Sequence, residues 1–215
     1  MHIAIALFDR FTALDAIGPY EVLVRLPGAT VTFVAERTGE HRTDTGVLGV
    51  CADATFDDVA TPDIVVVPGG PGTRAMLDPD TALATWVRTA HESTQWTTSV
   101  CTGSLVLAAA GLLEGVDATT HWAAADLLGQ LGATFTDQRV VERGKVITAA
   151  GVSAGIDMAL GLAARLAGDD VARAIQLGIE YDPQPPFDAG SPAKAGPELV
   201  ALLQDLALER TPPAP

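Results

Sequence analysis

One thiol in this chain is placed where protein folds commonly present a nucleophile. Cys101 lies in the run Thr97–Leu105, where an apolar strand is predicted to turn into a helix, with Ser99 and Gly103 two positions either side. Short side chains at those positions let the backbone form the tight elbow that lifts a nucleophile toward solvent. The first N–H groups of the helix and its dipole favour the thiolate over the thiol. We therefore interpret Cys101 as a nucleophile rather than as a small buried cysteine that only packs against helices.

A second glycine-rich turn, Val67–Gly72, also follows a predicted apolar strand. The carboxyl ends of parallel strands meet at one edge of a sheet, where open α/β sheets bind ligands, so this turn is expected to face the Cys101 elbow. The backbone N–H groups of Gly70 and Thr102 could then form an oxyanion hole, whereas Pro71 has no N–H to offer. The alternative is that the glycines only make a tight turn.

An acidic side chain, that of Asp15, follows the first predicted strand and so belongs to the same edge of the sheet. From there it could reach the Cys101 thiol. The pattern has a second interpretation, because Thr12 followed three residues later by an acid resembles a capping box at a helix N-terminus. The residues by themselves do not favour one interpretation over the other.

No histidine stands where a Cys–His dyad would need it. His2 opens a predicted strand and His41 and His91 lie in polar surroundings, which leaves His121 near a candidate site, and we interpret it as structural. Cys51 is also taken as structural. The two cysteines are far apart and in no metal-ligand spacing, so the sequence predicts neither a disulfide framework nor a metal site, and no cofactor is expected.

The elements that must position these residues are those of one large α/β domain. With 215 residues, 48% of them hydrophobic and only 5% aromatic, the chain can bury a sizeable core of helices packed closely on a sheet. A formal net charge of −14 disfavours nucleic acids and anionic membrane surfaces as partners. The sequence shows no signal peptide and no long apolar span, so a soluble cytoplasmic protein is predicted.

Short apolar runs alternate with helical patterns, as in a doubly wound, flavodoxin-like sandwich whose mostly parallel sheet is buried on both faces. The central strands are predicted at Ile3–Phe8, Val31–Ala35, Ile64–Val67 and Trp96–Val100. Helices are predicted at Gly18–Arg25, Pro79–Glu92, Thr102–Ala110, Gly151–Ala167, Asp169–Ile179 and Glu198–Glu209. Two glycine-containing segments, Arg42–Cys51 and Phe135–Thr148, are predicted to be hairpins added to the parallel core.

The domain is predicted to span residues 1–192. A proline-stiffened loop, Tyr181–Phe187, precedes its end. Residues 193–215 are predicted to add a C-terminal helix and a Pro-rich tail of five residues, packed on the same domain or extending from it.

The run Ser99–Leu107, with Ala118–Trp122 behind it, resembles the PfpI-like, glutamine-amidotransferase-like superfamily, and within it the isocyanide hydratases. The likeness extends to about Pro192 through Leu14-Asp15 with Gly18-Pro19, Pro68–Gly70, Gly151 with Ala154–Asp157, Glu180-Tyr181, Pro185–Phe187 and Ala189–Pro192. The most restrictive features are the combination of aspartate at the acid position with Cys101-Thr102-Gly103 and the loop Tyr181–Phe187. The superfamily more often has glutamate as the acid, and PfpI-type proteases have histidine directly after the nucleophile. The late His-Glu pair of the related amidotransferases is missing.

The resemblance implies hydration of an isocyanide, R–N≡C, to an N-formamide by a homodimer with its active sites near the subunit interface. Cys101 would attack the terminal carbon to form a thioimidate. Asp15 would act as general acid and base, and a thiolate beside it should keep this acid protonated. Thr102 would hold the intermediate with its N–H and hydroxyl, and Gly70 would be the second backbone donor. An apolar substrate would need apolar walls, for which the candidates are Phe11, Trp122 and Phe187.

Three other functions would use the same elbow domain. A ligand-sensing module occurs at the front of AraC-like regulators, but these need a DNA-binding helix-turn-helix downstream, which is not expected in a chain ending at Pro215 with net negative charge. A glyoxalase or deglycase acting on 2-oxoaldehydes would use Cys101 too, usually with glutamate in place of Asp15. An oxidant sensor would use the thiol through its sulfinic acid.

Overall fold

A seven-stranded sheet carries the candidate residues. The computed structural model describes residues 1–209, which divide into two compact units, Met1–Glu180 and the segment from Tyr181 onward. The strands are, in chain order, β1 (His2–Ala6), β2 (Thr30–Ala35), β3 (Gly39–Arg42), β4 (Gly49–Ala52), β5 (Ala54–Thr55), β6 (Ile64–Val67), β7 (Trp96–Val100), β8 (Asp117–Ala118), β9 (Thr134–Phe135), β10 (Val140–Arg143) and β11 (Val146–Ala149). The helices are α1 (Ala13–Leu23), α2 (Ala82–Ser93), α3 (Gly103–Ala109), α4 (Ala125–Gln130), α5 (Ala154–Ala167), α6 (Asp169–Gly178), α7 (Pro192–Ala195) and α8 (Pro197–Glu209); short 3-10 helices span Pro71–Met76 and Trp122–Ala124.

The strand order of the main sheet is β10-β11-β7-β6-β1-β2-β5. Its neighbouring strands are parallel except at one edge, where β10 pairs antiparallel with β11. All four residues of β6 are fully buried, as expected for a central parallel strand with helices on both faces of the sheet. The predicted fold class, a mostly parallel sheet sandwiched by helices, is therefore confirmed.

The central strands lie close to their predicted bounds, and β6 and β7 match them. The largest difference among the central elements is in α1, which begins at Ala13 although the prediction placed the helix start at Gly18. Glycine and proline disfavour a helix interior, and the sequence has both at Gly18-Pro19. A Cβ on Gly18 would lie 3.0 Å from Ile156 of α5, so the missing side chain lets α1 pack closely on α5. We attribute the tolerance of this sequence inside α1 to that packing.

Of the two predicted hairpins, one is an addition to the core and the other contributes strands to the main sheet. β3 and β4 form a separate two-stranded antiparallel sheet, as expected of an addition to the core. The interpretation of Phe135–Thr148 as an addition is wrong, because β11 pairs in parallel with β7 and so belongs to the main sheet. The reason lies in Val146–Ala149, whose four residues are all buried between the layers and extend the core. Only β10 has the antiparallel edge character that the hairpin pattern indicated.

The second unit contains the loop from Tyr181, the short helix α7 and the longer helix α8. The predicted helix at Glu198–Glu209 is confirmed within one residue. Among its described side chains, four leucines are exposed: Leu199, Leu202, Leu203 and Leu206. The predicted Pro-rich tail, residues 211–215, lies outside the described residues. The domain limit at about Pro192 stays a prediction.

Within residues 1–209, none of the helices combines the length and apolar character needed to cross a lipid bilayer.

Candidate active site

The site is built on three neighbouring strands. β1, β6 and β7 are adjacent and parallel, so the loops after them leave the sheet at the same edge. The segment after β1 leads into the first turn of α1, which carries Asp15; the loop after β6 carries Gly69 and Gly70, and the elbow after β7 carries Cys101 and Thr102. A hydrogen bond of 2.8 Å from the Gly70 N–H to Thr102 Oγ1 joins the second loop to the third. The structure therefore brings all four predicted site residues together.

Cys101 has the backbone of a nucleophile elbow. Its φ of 57° lies in the left-handed region, which non-glycine residues seldom adopt. Neighbouring groups hold this conformation: the Cys101 carbonyl oxygen accepts hydrogen bonds of 3.1 Å from the hydroxyls of both Ser104 and Thr120. Gly103 is needed for the approach of the elbow to the end of β6, because a Cβ there would lie 2.8 Å from the Pro68 carbonyl oxygen and would collide with that of Val67. The elbow leaves Cys101 only 5% exposed, so the thiol is not lifted into bulk solvent as the sequence suggested.

Asp15 is not a helix cap. Its side chain is fully buried, and its Oδ2 accepts a 2.9 Å hydrogen bond from the backbone N–H of Gly69, on the next loop of the site. Thr12 makes no side-chain cap to α1 and instead donates its hydroxyl proton to Asp44 at 3.1 Å. The capping-box interpretation is therefore wrong, because both of its side chains bond elsewhere. The interpretation that places Asp15 beside the elbow is the one that agrees with the structure.

The carboxyl of Asp15 and the thiol of Cys101 each shift the pKa of the other. Oδ1 of Asp15 is buried and makes no hydrogen bond of good geometry with any described group, so the thiol is a close neighbour rather than a well-aligned donor to this oxygen. Burial raises the pKa of Asp15 from 3.8 to about 7, and the charge of Asp44 adds to the rise. The hydrogen bond from the Gly69 N–H and the neighbouring Cys101 thiol lower that pKa, but the effect of burial is larger.

The thiol of Cys101 is also harder to ionise than a free cysteine. Burial and the neighbouring Asp15 charge raise its pKa, while the backbone N–H and hydroxyl of Thr102 lower it by a smaller amount. The prediction that the helix N-terminus makes a thiolate is therefore not supported, because burial outweighs the contribution of the Thr102 N–H. Asp15 loses its proton before Cys101 does. At neutral pH the pair is a thiol beside a carboxyl that can exchange protons.

Gly70 and Thr102 do not present two free backbone donors. The Gly70 N–H, predicted to face an oxyanion, is bonded to Thr102 Oγ1 in this structure. The Thr102 N–H lowers the pKa of the Cys101 thiol, so it favours negative charge on the sulfur. Sequence reasoning missed Gly69, whose N–H anchors Asp15, and Thr73, whose buried hydroxyl lies 3.1 Å from Thr102 Oγ1. The Pro68-Gly69-Gly70 run pointed to the turn but not to which of its N–H groups faces the acid.

The contacts described for the remaining candidate residues are with residues outside this cluster. His121 accepts a hydrogen bond from the Ala123 N–H and stacks at a tilt on Trp122, and burial lowers its pKa, all of which agrees with a structural role. Cys51 is exposed on β4 and is a free thiol. Phe11 is fully buried and packs edge-on against Phe8, so its ring belongs to the core rather than to an open wall.

A cavity of about 560 Å³ lies away from the elbow, between the β10–β11 hairpin and α5. Its walls include Glu142, Asp157 and Arg165, and none of the four candidate site residues lines it. Arg165 is already paired with Glu142 at 2.6 Å, and Asp157 is paired with Arg139. The candidate residues at the sheet edge therefore form a cluster separate from this cavity. Within the described residues, no group of three or more His, Cys, Asp or Glu side chains is arranged to hold a metal ion.

Known proteins share this arrangement of strands and loops. A model of the DJ-1/PfpI family matches residues 1–165. The isonitrile hydratase of Pseudomonas putida is 44% identical over 200 residues, which cover 93% of this chain and 87% of that protein. The crystal structure of a THiJ/PfpI family protein from Pseudomonas syringae superposes with a TM-score of 0.91, at 37% identity, over 97% of this chain and 86% of its own. A more distant relative, the glutathione-independent glyoxalase DJR-1.2 of Caenorhabditis elegans, is 28% identical over 73% of this chain and 83% of its own length.

Proposed function

This chain belongs to the DJ-1/PfpI family, and we propose that it hydrates isocyanides, also called isonitriles, to N-formamides. The observation that carries the proposal is the buried Asp15 carboxyl, which the Gly69 N–H holds at the Cys101 elbow, in a chain similar over nearly its whole length to an isonitrile hydratase. The reaction places the oxygen and one hydrogen of water on the terminal carbon and the other hydrogen on the nitrogen. The carbon must therefore receive first a nucleophile and then an oxygen. A thiol and one carboxyl are sufficient for both additions.

In the first half of the reaction, Sγ of Cys101 attacks the terminal carbon of R–N≡C. The Asp15 carboxylate takes the thiol proton as the carbon–sulfur bond forms, and then delivers it to the same carbon, giving the thioimidate R–N=CH–S–Cys. Because burial places the pKa of Asp15 at about 7, the carboxyl is close to equally able to accept and to donate a proton near neutral pH. No charge is left behind when this step is complete.

In the second half, the Asp15 carboxylate takes a proton from water as the hydroxide adds to the thioimidate carbon, and the nitrogen is protonated. The tetrahedral intermediate R–NH–CH(OH)–S–Cys then breaks its carbon–sulfur bond. The hydroxyl proton passes through Asp15 to the departing sulfur, which releases R–NH–CHO and restores the thiol of Cys101. Every proton that moves in this scheme passes through one carboxyl.

Thr102 supports both halves through its contacts with sulfur. Its backbone N–H and its hydroxyl both stabilise negative charge on Sγ of Cys101, so they help the attack and the later departure of the sulfur. Gly70 contributes as a second donor by fixing the Thr102 oxygen, through the 2.8 Å hydrogen bond from its N–H. Its proposed role is therefore to hold Thr102 rather than to contact the intermediate in this arrangement of the loops.

The proposal extends to the assembly and its location. A homodimer is proposed on the ground that the first unit leaves large apolar side chains exposed, among them Leu14 and Val47. Light scattering on the purified protein tests the homodimer, and a mass of a single chain would contradict it.

The two free thiols, Cys51 and Cys101, suit a reducing compartment and therefore a cytoplasmic location.

The activity is tested by giving the purified protein an aryl isocyanide and, separately, methylglyoxal. N-formamide is followed in the first reaction and lactate in the second. Wild-type protein and the control Cys51→Ser should produce formamide, whereas Cys101→Ser should produce none. Lactate without formamide would contradict the proposal and favour the glyoxalase alternative, which uses the same thiol on a different carbon.

A further inference from the structure

The proposed reaction leaves one buried hydroxyl of the site without a role. Thr73 lies in the 3-10 helix that follows the Gly69-Gly70 turn and is 1% exposed. Its Oγ1 is 2.7 Å from the Gly70 carbonyl oxygen and 3.1 Å from Thr102 Oγ1, while its N–H donates to the same Gly70 oxygen at 3.1 Å. Thr73 thus contacts two groups that surround the nucleophile without contacting the sulfur itself.

The hydroxyl of Thr102 has a single proton and more than one acceptor for it. Its oxygen already accepts the Gly70 N–H at 2.8 Å. Its proton goes to the Gly70 carbonyl oxygen, at 3.3 Å, in this structure. The same hydroxyl also lowers the pKa of the Cys101 thiol, so Sγ is the other acceptor for this proton. A proton given to the carbonyl oxygen is not available to the sulfur.

Two arrangements of hydroxyl protons fit these distances. In the first, Thr73 donates to the Gly70 oxygen at 2.7 Å, and this oxygen then accepts both the N–H and the hydroxyl of Thr73. The proton of Thr102 is then left for Cys101. In the second, Thr73 donates to Thr102 at 3.1 Å and Thr102 donates to the Gly70 oxygen at 3.3 Å. The bonds of the second arrangement are longer than the usual O–H···O distance, so the first is the more stable.

We propose that Thr73 is a positioning residue, which occupies the Gly70 carbonyl oxygen so that the Thr102 hydroxyl proton is directed at Sγ of Cys101. Without the Thr73 hydroxyl, the Gly70 oxygen loses its shortest hydrogen bond and becomes the better acceptor for Thr102. The sulfur would then lose a donor although Thr102 is unchanged. The consequence for turnover rests on the proposed hydratase function, whereas the consequence for thiol reactivity does not.

The test uses Thr73→Val, Thr73→Ser, Thr102→Val and the double variant, all in a Cys51→Ser background so that Cys101 is the one thiol available. Thr73→Val should lower kcat for isocyanide hydration by about tenfold, the effect of one lost hydrogen bond to a charged atom, with KM little changed. It should also slow alkylation of Cys101 by iodoacetamide at a fixed, mildly alkaline pH. Thr73→Ser, which keeps the hydroxyl, should restore both. In the Thr102→Val background, Thr73→Val should have no further effect, because the group through which it acts is gone.

Thr98→Val is the matched control. Thr98 is fully buried and its hydroxyl donates at 3.0 Å to the Val65 carbonyl oxygen, outside the site, so its loss should leave kcat and the alkylation rate unchanged. Equal losses in Thr98→Val and Thr73→Val, additive losses in the double variant, or failure of Thr73→Ser to restore the rate would each overturn the proposal. Should Thr73→Val not fold, as judged by circular dichroism, Thr73→Ala makes the same comparison. If isocyanide is not hydrated by any variant, the alkylation rates still decide the role of Thr73.

Discussion

Replacing Asp15 with asparagine should separate the catalytic role of this residue from its effect on stability. Burial raises the pKa of Asp15 from 3.8 to about 7, so the folded protein holds the proton more tightly than the unfolded chain does. Stability must therefore fall as the pH rises from about 4 to 7, and the full cost is present above pH 7. At about 1.4 kcal/mol per pH unit, the ionised carboxyl costs the fold about 4 kcal/mol at pH 8. Asp15→Asn has no such cost, and its amide oxygen can still accept the Gly69 N–H.

The assay compares denaturant unfolding of wild type and Asp15→Asn at pH 5 and at pH 8. Groups that titrate equally in both proteins cancel, so the difference in unfolding free energy should change by about 3 kcal/mol between these pH values, in favour of the variant at pH 8. Turnover of isocyanide by the same variant should fall by about 10²-fold to 10⁴-fold, because no carboxyl remains to carry protons. A difference in stability that does not change with pH would refute the reasoning from burial. Intact turnover with lower stability would refute the catalytic role.

The raised Asp15 pKa also predicts that kcat/KM rises with pH up to about 7, because the ionised carboxyl accepts the thiol proton; a flat profile between pH 5.5 and 8 would contradict this. Gly69→Ala should lower kcat/KM by about 10²-fold, since a Cβ would lie 2.5 Å from the Thr102 backbone nitrogen and 2.9 Å from an Asp15 oxygen. Gly129→Ala, which meets no atom within 4 Å, is the control and should turn over normally. Lys145→Met should lower the unfolding free energy by about 1 to 3 kcal/mol with kcat unchanged. The reason is that the Lys145 ammonium binds carbonyl oxygens at the C-terminal end of α2. A normal melting temperature would contradict this prediction.

The sequence was sufficient for the parts of the fold that depend on continuous apolar strands. β6 and β7 are buried on both faces, so their residues had to be apolar or small throughout, and both strands could be placed at their observed bounds. The elbow at Cys101 and the turn at Gly70 followed, because a parallel sheet brings the loops after neighbouring strands to one edge. By the same logic Asp15 belonged to that edge. The meeting of these three segments at one edge was thus predictable from the pattern of parallel strands, although the sequence left open whether Asp15 caps a helix or faces the elbow.

The hydrogen bonds of the site could not be predicted in this way, because they depend on partners distant in the chain. The choice between a capping box and a site acid for Asp15 was decided by Thr12, whose hydroxyl bonds Asp44, 32 residues further on. Likewise, the sequence shows that Gly70 has an N–H but not that Thr102 accepts it. The state of the Cys101 thiol depends on how completely the surrounding loops exclude water, and this is a property of the packed structure.

In the proposed mechanism, the unequal environments of the two Asp15 oxygens let this one carboxyl do the work of a histidine partner for Cys101. Oδ2 is fixed by the Gly69 N–H, which sets the orientation of the carboxyl, while Oδ1 is buried without a hydrogen-bond partner among the described residues. The addition of a thiol to an isocyanide takes a proton from sulfur and places it on the carbon that the sulfur attacks, so donor and acceptor of that proton lie within one small space. A single unbonded carboxyl oxygen with a pKa of about 7 can serve both atoms in turn. An imidazole would become a cation in the same step, and burial in this site would oppose that charge.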